Sequence, residues 1–241
     1  MKKLNTVIAA IAIVAFTMTN VFAGNASLGI VGSQMSVDAS GTETDRITAA
    51  GANIADTSVR TKSLSADTTT LSFFGEWTSA TSYPITFGFE YTPGEADISN
   101  KLSRTDTELS QTGNVITTAL SRTVTAKADA TNFATAYVEL PLFKGLYFRG
   151  GVSNIDIDYV TTDTGTNGGK YGEVISLAGT NLGIGWKMTT EGGTLIKLSY
   201  EDTDYDTFNL RSTGNSVAAN SNAISGDIDT TAYRLSLGKT F

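Results

Sequence analysis

Eight stretches of this sequence alternate apolar and polar residues with a period of two, at about 26–38, 69–78, 83–93, 131–141, 146–160, 174–188, 194–206 and 229–241. That period marks strands with one apolar and one polar face, and almost no stretch holds a helical spacing. The connections between the eight also alternate. Three of them, 79–82, 142–145 and 189–193, are a few residues long, while the other four run about 30, 37, 13 and 22 residues and are rich in Thr, Ser, Ala, Asn, Gly and charge. A compact domain rarely carries so many long connections. Short turns on one side and long loops on the other predict an antiparallel sheet closed on itself, with all its turns at one end.

The two faces of each stretch differ sharply. In the third, Tyr83, Ile85, Phe87, Phe89 and Tyr91 share one face, while Pro84, Thr86, Gly88, Glu90 and Thr92 share the other. The sixth sets Leu182, Ile184, Trp186 and Met188 against Asn181, Gly183, Gly185 and Lys187; the seventh sets Ile196, Leu198 and Tyr200 against Lys197, Ser199 and Glu201. On the apolar face Lys239 is the one charge, placed near a strand end where it can snorkel toward water. From Tyr83 to Tyr91, eight steps of roughly 3.3 Å at a tilt near 40° climb about 20 Å, close to the apolar band a transmembrane barrel needs. Trp77, Tyr83, Trp186 and Phe241 fall beside the short turns, and Tyr91 and Tyr200 fall toward the long loops. A soluble sandwich would alternate in the same way, but it requires neither the turn-and-loop asymmetry nor aromatics at both ends. The expected fold is all-β: an eight-stranded antiparallel transmembrane β-barrel with short periplasmic turns and long extracellular loops.

Composition narrows the chemistry. The chain has no Cys and no His, so disulfides, thiolate or imidazole metal sites, and Ser-His or Cys-His catalysis are all excluded. Residues 1–23 read as a cleaved signal peptide: Lys2 and Lys3 precede an apolar run at 7–16, and Val21-Phe22-Ala23 forms a small-x-small cleavage site before Gly24. The barrel domain is then 24–241. Taking two lysines from 17 cationic residues against 24 acids leaves a charge of −9, which argues against a nucleic-acid partner.

The layout of 24–241 and its last strand resemble the small eight-stranded outer-membrane barrels of Gram-negative bacteria, the class of the OmpA transmembrane domain, OmpX, OmpW and the opacity-type adhesins. Tyr233, Leu235, Leu237 and Phe241 match that family's assembly signal, and the resemblance implies reading by the outer-membrane insertion machinery. Lys239 departs from the pattern, which often has an aromatic residue there. The resemblance further implies export to the outer membrane, a monomer, and contact with outer-membrane lipids and lipopolysaccharide.

Three groups of residues are candidate sites. On the alternation above, Glu76, Glu90, Glu139 and Glu201 point into the lumen with Arg149, Lys187, Lys197 and Arg234, four acids against four bases. The interior of an eight-stranded barrel is just wide enough for side chains, so these charges are expected to pair and plug it. Asp202, Asp204 and Asp206 continue the outward face of Tyr200, Asp227 and Asp229 that of Tyr233, and Asp156 and Asp158 that of the fifth stretch. Such a rim can share divalent cations with lipopolysaccharide phosphates, although it is no EF-hand: Thr207 stands where the loop needs Gly, and Thr213 where it needs Glu. Finally, the loops 39–68 and 94–130 carry period-two stretches that can extend the strands beyond the membrane, and rigidly held loops are where binding concentrates. No cofactor, no dedicated metal site and no enzyme activity are expected. The leading expectation is a surface-interaction protein with a closed lumen and an unidentified extracellular ligand. The alternative is a narrow OmpW-like channel for small or hydrophobic solutes, and an outer-membrane enzyme stands behind both.

Overall fold

A computed structural model describes residues 24–48, 55–97, 102–112, 115–163, 170–171, 174–213 and 223–241; the expected signal peptide lies outside them. Eleven strands follow one another: β1 (Gly24–Thr48), β2 (Ala55–Ser79), β3 (Thr86–Asp97), β4 (Leu102–Thr112), β5 (Val115–Pro141), β6 (Leu146–Asp163), β7 (Lys170–Tyr171), β8 (Ile175–Thr189), β9 (Thr194–Tyr205), β10 (Phe208–Thr213) and β11 (Ala223–Thr240). Eight of them, in the order β1-β2-β3-β5-β6-β8-β9-β11, form an antiparallel ring that β11 closes against β1. The closing ladder runs from Ser27↔Thr240 to Thr44↔Ala223, and the Phe241 amide donates to the Ala26 carbonyl at 2.9 Å. A closed ring leaves no unpaired edge in the apolar layer, which lipid would not tolerate.

The eight ring strands coincide with the eight alternating stretches, but several run much further toward the long loops. β1 continues ten residues past 38, and β2 begins at Ala55 rather than 69; the two stay paired to Thr48↔Ala55. β5 begins at Val115 and carries β4 beside it as an added hairpin. Their Thr and Ser alternation suits a pleated surface in water, so long loops on paper become strands that stand above the barrel. At the other end β3 is shorter than expected. It starts at Thr86, because Pro84 brings no N–H to a ladder, and Tyr83 lies instead in a bend, its hydroxyl donating to the Pro141 carbonyl at 2.7 Å.

β3 also parts from β2 above Phe73↔Tyr91. Its register breaks between Thr92 and Glu95, where Pro93 lacks an N–H and Gly94 takes a φ of 103°, the left-handed region that Gly enters freely.

The outside is apolar around the short-turn half. Phe73, Leu182, Ile184, Leu198 and Leu235 are about half exposed, whereas Glu139 in the lumen is 0% exposed. This is the inversion expected of a protein whose outer solvent is lipid. Trp77 and Phe87 stack at 6.0 Å near the short turns, and Tyr200 and Tyr233 meet at 5.2 Å at the other margin of the belt.

Candidate functional site

The lumen is filled in layers, and each layer follows from which residues the alternation turns inward. Nearest the short turns, Lys197 on β9 reaches across to Glu76 on β2 and Glu139 on β5. Glu139 also receives Lys187 at 2.9 Å, and the Tyr137 hydroxyl donates to Glu76 at 2.7 Å. Above this, Arg149 and Arg234 each contact both Glu90 and Glu201: Arg149 at 3.5 and 3.0 Å, Arg234 by a bond to Glu90 and one of 2.6 Å to Glu201. Two acids and two bases thereby form a closed four-membered circuit joining β3, β6, β9 and β11. Of the eight predicted lumen charges, all lie in these two groups. Apart from Lys187 and Arg234 they are almost wholly buried, which ion pairs survive only with their remaining hydrogen-bonding positions filled. Here Asn181 accepts from Arg149 Nε at 3.3 Å and Ser199 donates to Glu201 at 2.9 Å.

Sequence reasoning passed over the aromatic bodies that carry these charges. The Arg149 guanidinium lies 3.6 Å from the Tyr137 ring centre, and Lys197 sits over Tyr147 at 5.2 Å, arrangements that recover part of what the cations lose in hydration. The signal was present, since Tyr137 shares its parity with Glu139 and Tyr147 with Arg149. Room for the rings comes from inward glycines. A Cβ on Gly88 would stand 2.2 Å from the Tyr137 ring, and one on Gly185 2.4 Å from the Tyr147 hydroxyl.

Beyond the arginines lies a cavity of about 50 Å³, walled by Ser33, Thr92, Thr135, Ser153, Asn181 and Thr230 among others, so that every ring strand contributes a hydroxyl or an amide. That is space for a few water molecules. An apolar layer unforeseen in the sequence then fills the long-loop end of the lumen: Met35, Val37, Ala130, Ile155, Ile157, Leu177, Tyr205, Ile228 and Ala232.

The carboxylates of the rim stand apart from the lumen. Asp202, Asp204, Asp206, Asp227 and Asp229 are exposed above the apolar belt. The register sets Asp229 between Asp204 and Asp38. Partial burial first, and then the charge of Asp204, raise the carboxyl of Asp229 above its ordinary range. Thr207 donates to Asp227 at 2.5 Å. Among the described residues no three acidic groups converge to hold a metal ion. Asp158 is exposed as expected, but Asp156 is buried, because β5 bulges opposite it and Asn132, at a φ of 55°, donates to its carboxylate at 3.1 Å.

On the last strand Tyr233, Leu235, Leu237 and Phe241 all face outward and exposed. Lys239 does not merely reach for water, since its ammonium donates to the Gly192 carbonyl in the neighbouring turn.

A closed ring of eight strands, an apolar exterior between two aromatic margins and a charged, filled interior decide the architecture. The chain folds as an eight-stranded transmembrane β-barrel. Solved structures similar to this barrel include Ail, the attachment invasion locus protein of Yersinia pestis, in complex with the heparin analogue sucrose octasulfate (12% identity, TM-score 0.42, 91% of this chain and 100% of that one). OprG of Pseudomonas aeruginosa is similar at 12% identity and TM-score 0.47, over 91% and 97% of the two chains. The outer membrane protease OmpT of Escherichia coli is similar at 10% identity and TM-score 0.39, over 90% and 97%. No protein-family model matches the sequence, and no curated protein matches it. The assignment of the barrel therefore rests on its own ladders, belt and lumen.

Proposed function

We propose that this is an outer-membrane barrel with a closed lumen, held in the membrane as a monomer, whose role is surface interaction through the strands and loops that rise from its long-loop end. The observation that carries the reading is the lumen itself. Two ion-paired groups and an apolar layer fill it in series, and the cavity between them has room for a few water molecules. In the proposed orientation the short turns face the periplasm and the acidic rim meets lipopolysaccharide, with divalent cations shared between carboxylates and lipid phosphates. The last strand is the segment that the insertion machinery reads. Binding rather than turnover is the proposed activity, and its target is a ligand outside the cell.

Single-channel recording of refolded protein in planar bilayers tests the closed lumen. Wild type is expected to be silent, and Arg149→Ala and Glu201→Ala to show at most rare openings. A steady open conductance in wild type overturns the reading and makes a narrow channel for small solutes the leading one.

A further inference from the structure

At the short-turn end the barrel does not finish flush. A cup of about 400 Å³ opens there, within the size range of small-molecule sites. Its walls are more apolar than polar, with Leu142, Phe143 and Leu195 set among Asn25, Thr78 and Thr240, while its inner end carries Glu76 and Lys187. The ion-paired lumen closes it above, so a molecule entering the cup binds and goes no further.

At the inner end it is the cation, not the acid, that is exposed. Glu76 is engaged by Lys197 and by the Tyr137 hydroxyl. Glu139, behind Lys187, has a fully buried side chain, whereas the side chain of Lys187 is 22% exposed. The Lys187 ammonium gives one N–H to Glu139 at 2.9 Å and one to Thr86 at 2.8 Å, and an ammonium has three. Lys144 adds a second cation at the rim, on a turn braced by the Trp186 indole, which donates to the Lys144 carbonyl at 3.2 Å. The acid of the neighbouring turn, Glu191, does not line the cup. An apolar wall with a spare ammonium donor at its inner end matches an anionic head on a compact apolar body.

We propose that the cup is a binding site for a small soluble anionic amphiphile, with a carboxylate or similar monoanion against Lys187 and an apolar body against Leu142, Phe143 and Leu195. In the orientation above, the ligand arrives from the periplasm. The site is separate from the surface role, and its occupation leaves conductance unchanged.

Calorimetric titration of the refolded full chain in nonionic micelles tests it, with hexanoate as probe and hexanol and hexylamine as controls. Hexanoate is expected to bind saturably, one per barrel, and neither control to do so. Lys187→Gln, which keeps a donor for Glu139, is expected to bind hexanoate about tenfold more weakly, the loss of one charge-assisted hydrogen bond. Thr189→Trp, which narrows the cup from its exposed margin and leaves the lysine in place, is expected to abolish binding while the barrel still runs as a folded species on unheated gels. Equal binding of hexanol and hexanoate reduces the cup to apolar partition and overturns the proposal. So does unchanged affinity in folded Lys187→Gln. Displacement of hexanoate by an anionic phospholipid at equimolar amounts assigns the cup to a lipid headgroup and overturns the soluble ligand.

Discussion

Individual side chains in this barrel act mainly through whom they leave unpaired. Glu139 is buried and receives both Lys187 and Lys197, so Glu139→Gln leaves the buried Lys197 with Glu76 alone and takes the carboxylate from Lys187. Breaking one member of such a group costs about 3 to 5 kcal/mol. We expect the urea midpoint of unfolding from lipid vesicles to fall accordingly, with wild-type secondary structure below it. Asp229 works in the opposite sense. Its carboxyl is raised above the ordinary range by partial burial and by Asp204, so the folded state holds the proton more tightly than the unfolded chain does. The stability it contributes is fully present below the unfolded value of about 3.9 and is lost as pH rises through the folded one. Asp229→Asn should therefore raise the melting temperature near neutral pH at low salt, with the gain vanishing as the buffer is acidified. A variant that melts like wild type at every pH removes repulsion at the rim from the account.

Between the strands, inward glycines make room for rings. Gly88 on β3 and Gly185 on β8 leave the space into which Tyr137 and Tyr147 fit. Gly88→Ala forces Tyr137 off both Glu76 and Arg149, and overpacking of this kind costs about 1 to 3 kcal/mol before the lost bonds are counted. The expected readout is a lower refolding yield and loss of the heat-modifiable folded band, with Gly32→Ala as control, since Gly32 faces open space outside. Pro93 and Gly94 act at the same scale, turning β3 away from β2 at the level where the apolar belt ends. Elements in the belt were readable because one face meets lipid and the other the lumen, which makes the alternation strict. Above it Thr, Ser and charged residues crowd the sequence of the β1–β2 hairpin, so the strand signal thins into what reads as a loop.

For the whole molecule, closure comes from layers in series. The arginine–glutamate circuit is polar and sits beside a small hydroxyl-lined cavity, while the layer of Val37, Ile155, Ile157, Leu177 and Ile228 is apolar. Narrow apolar constrictions stay dry and exclude ions. We therefore expect Arg149→Ala to remain closed, and Arg149→Ala combined with Ile155→Ser to conduct in planar bilayers. Steady conductance from Arg149→Ala alone assigns the seal to the ion pairs instead. The eight lumen charges were identifiable one strand at a time, because a period of two assigns each residue a side of the sheet. Their partners were not, since Lys197 meets Glu76 and Glu139 only once the ring has brought β9 opposite β2 and β5. The apolar layer was passed over for a different reason: above the belt the contrast inverts, with Val37, Ile155 and Ile228 buried inward and Asp158, Asp227 and Asp229 exposed outward, and only closure of the ring brings the inward residues together. Local chemistry thus settled strand, face and the end that carries the turns, all of which depend on a residue and its near neighbours. Register around the ring, the pairing of charges across it, the burial of Asp156 under Asn132 and the cup at the short-turn end depend on distant strands meeting, and closure of the sheet alone specifies those.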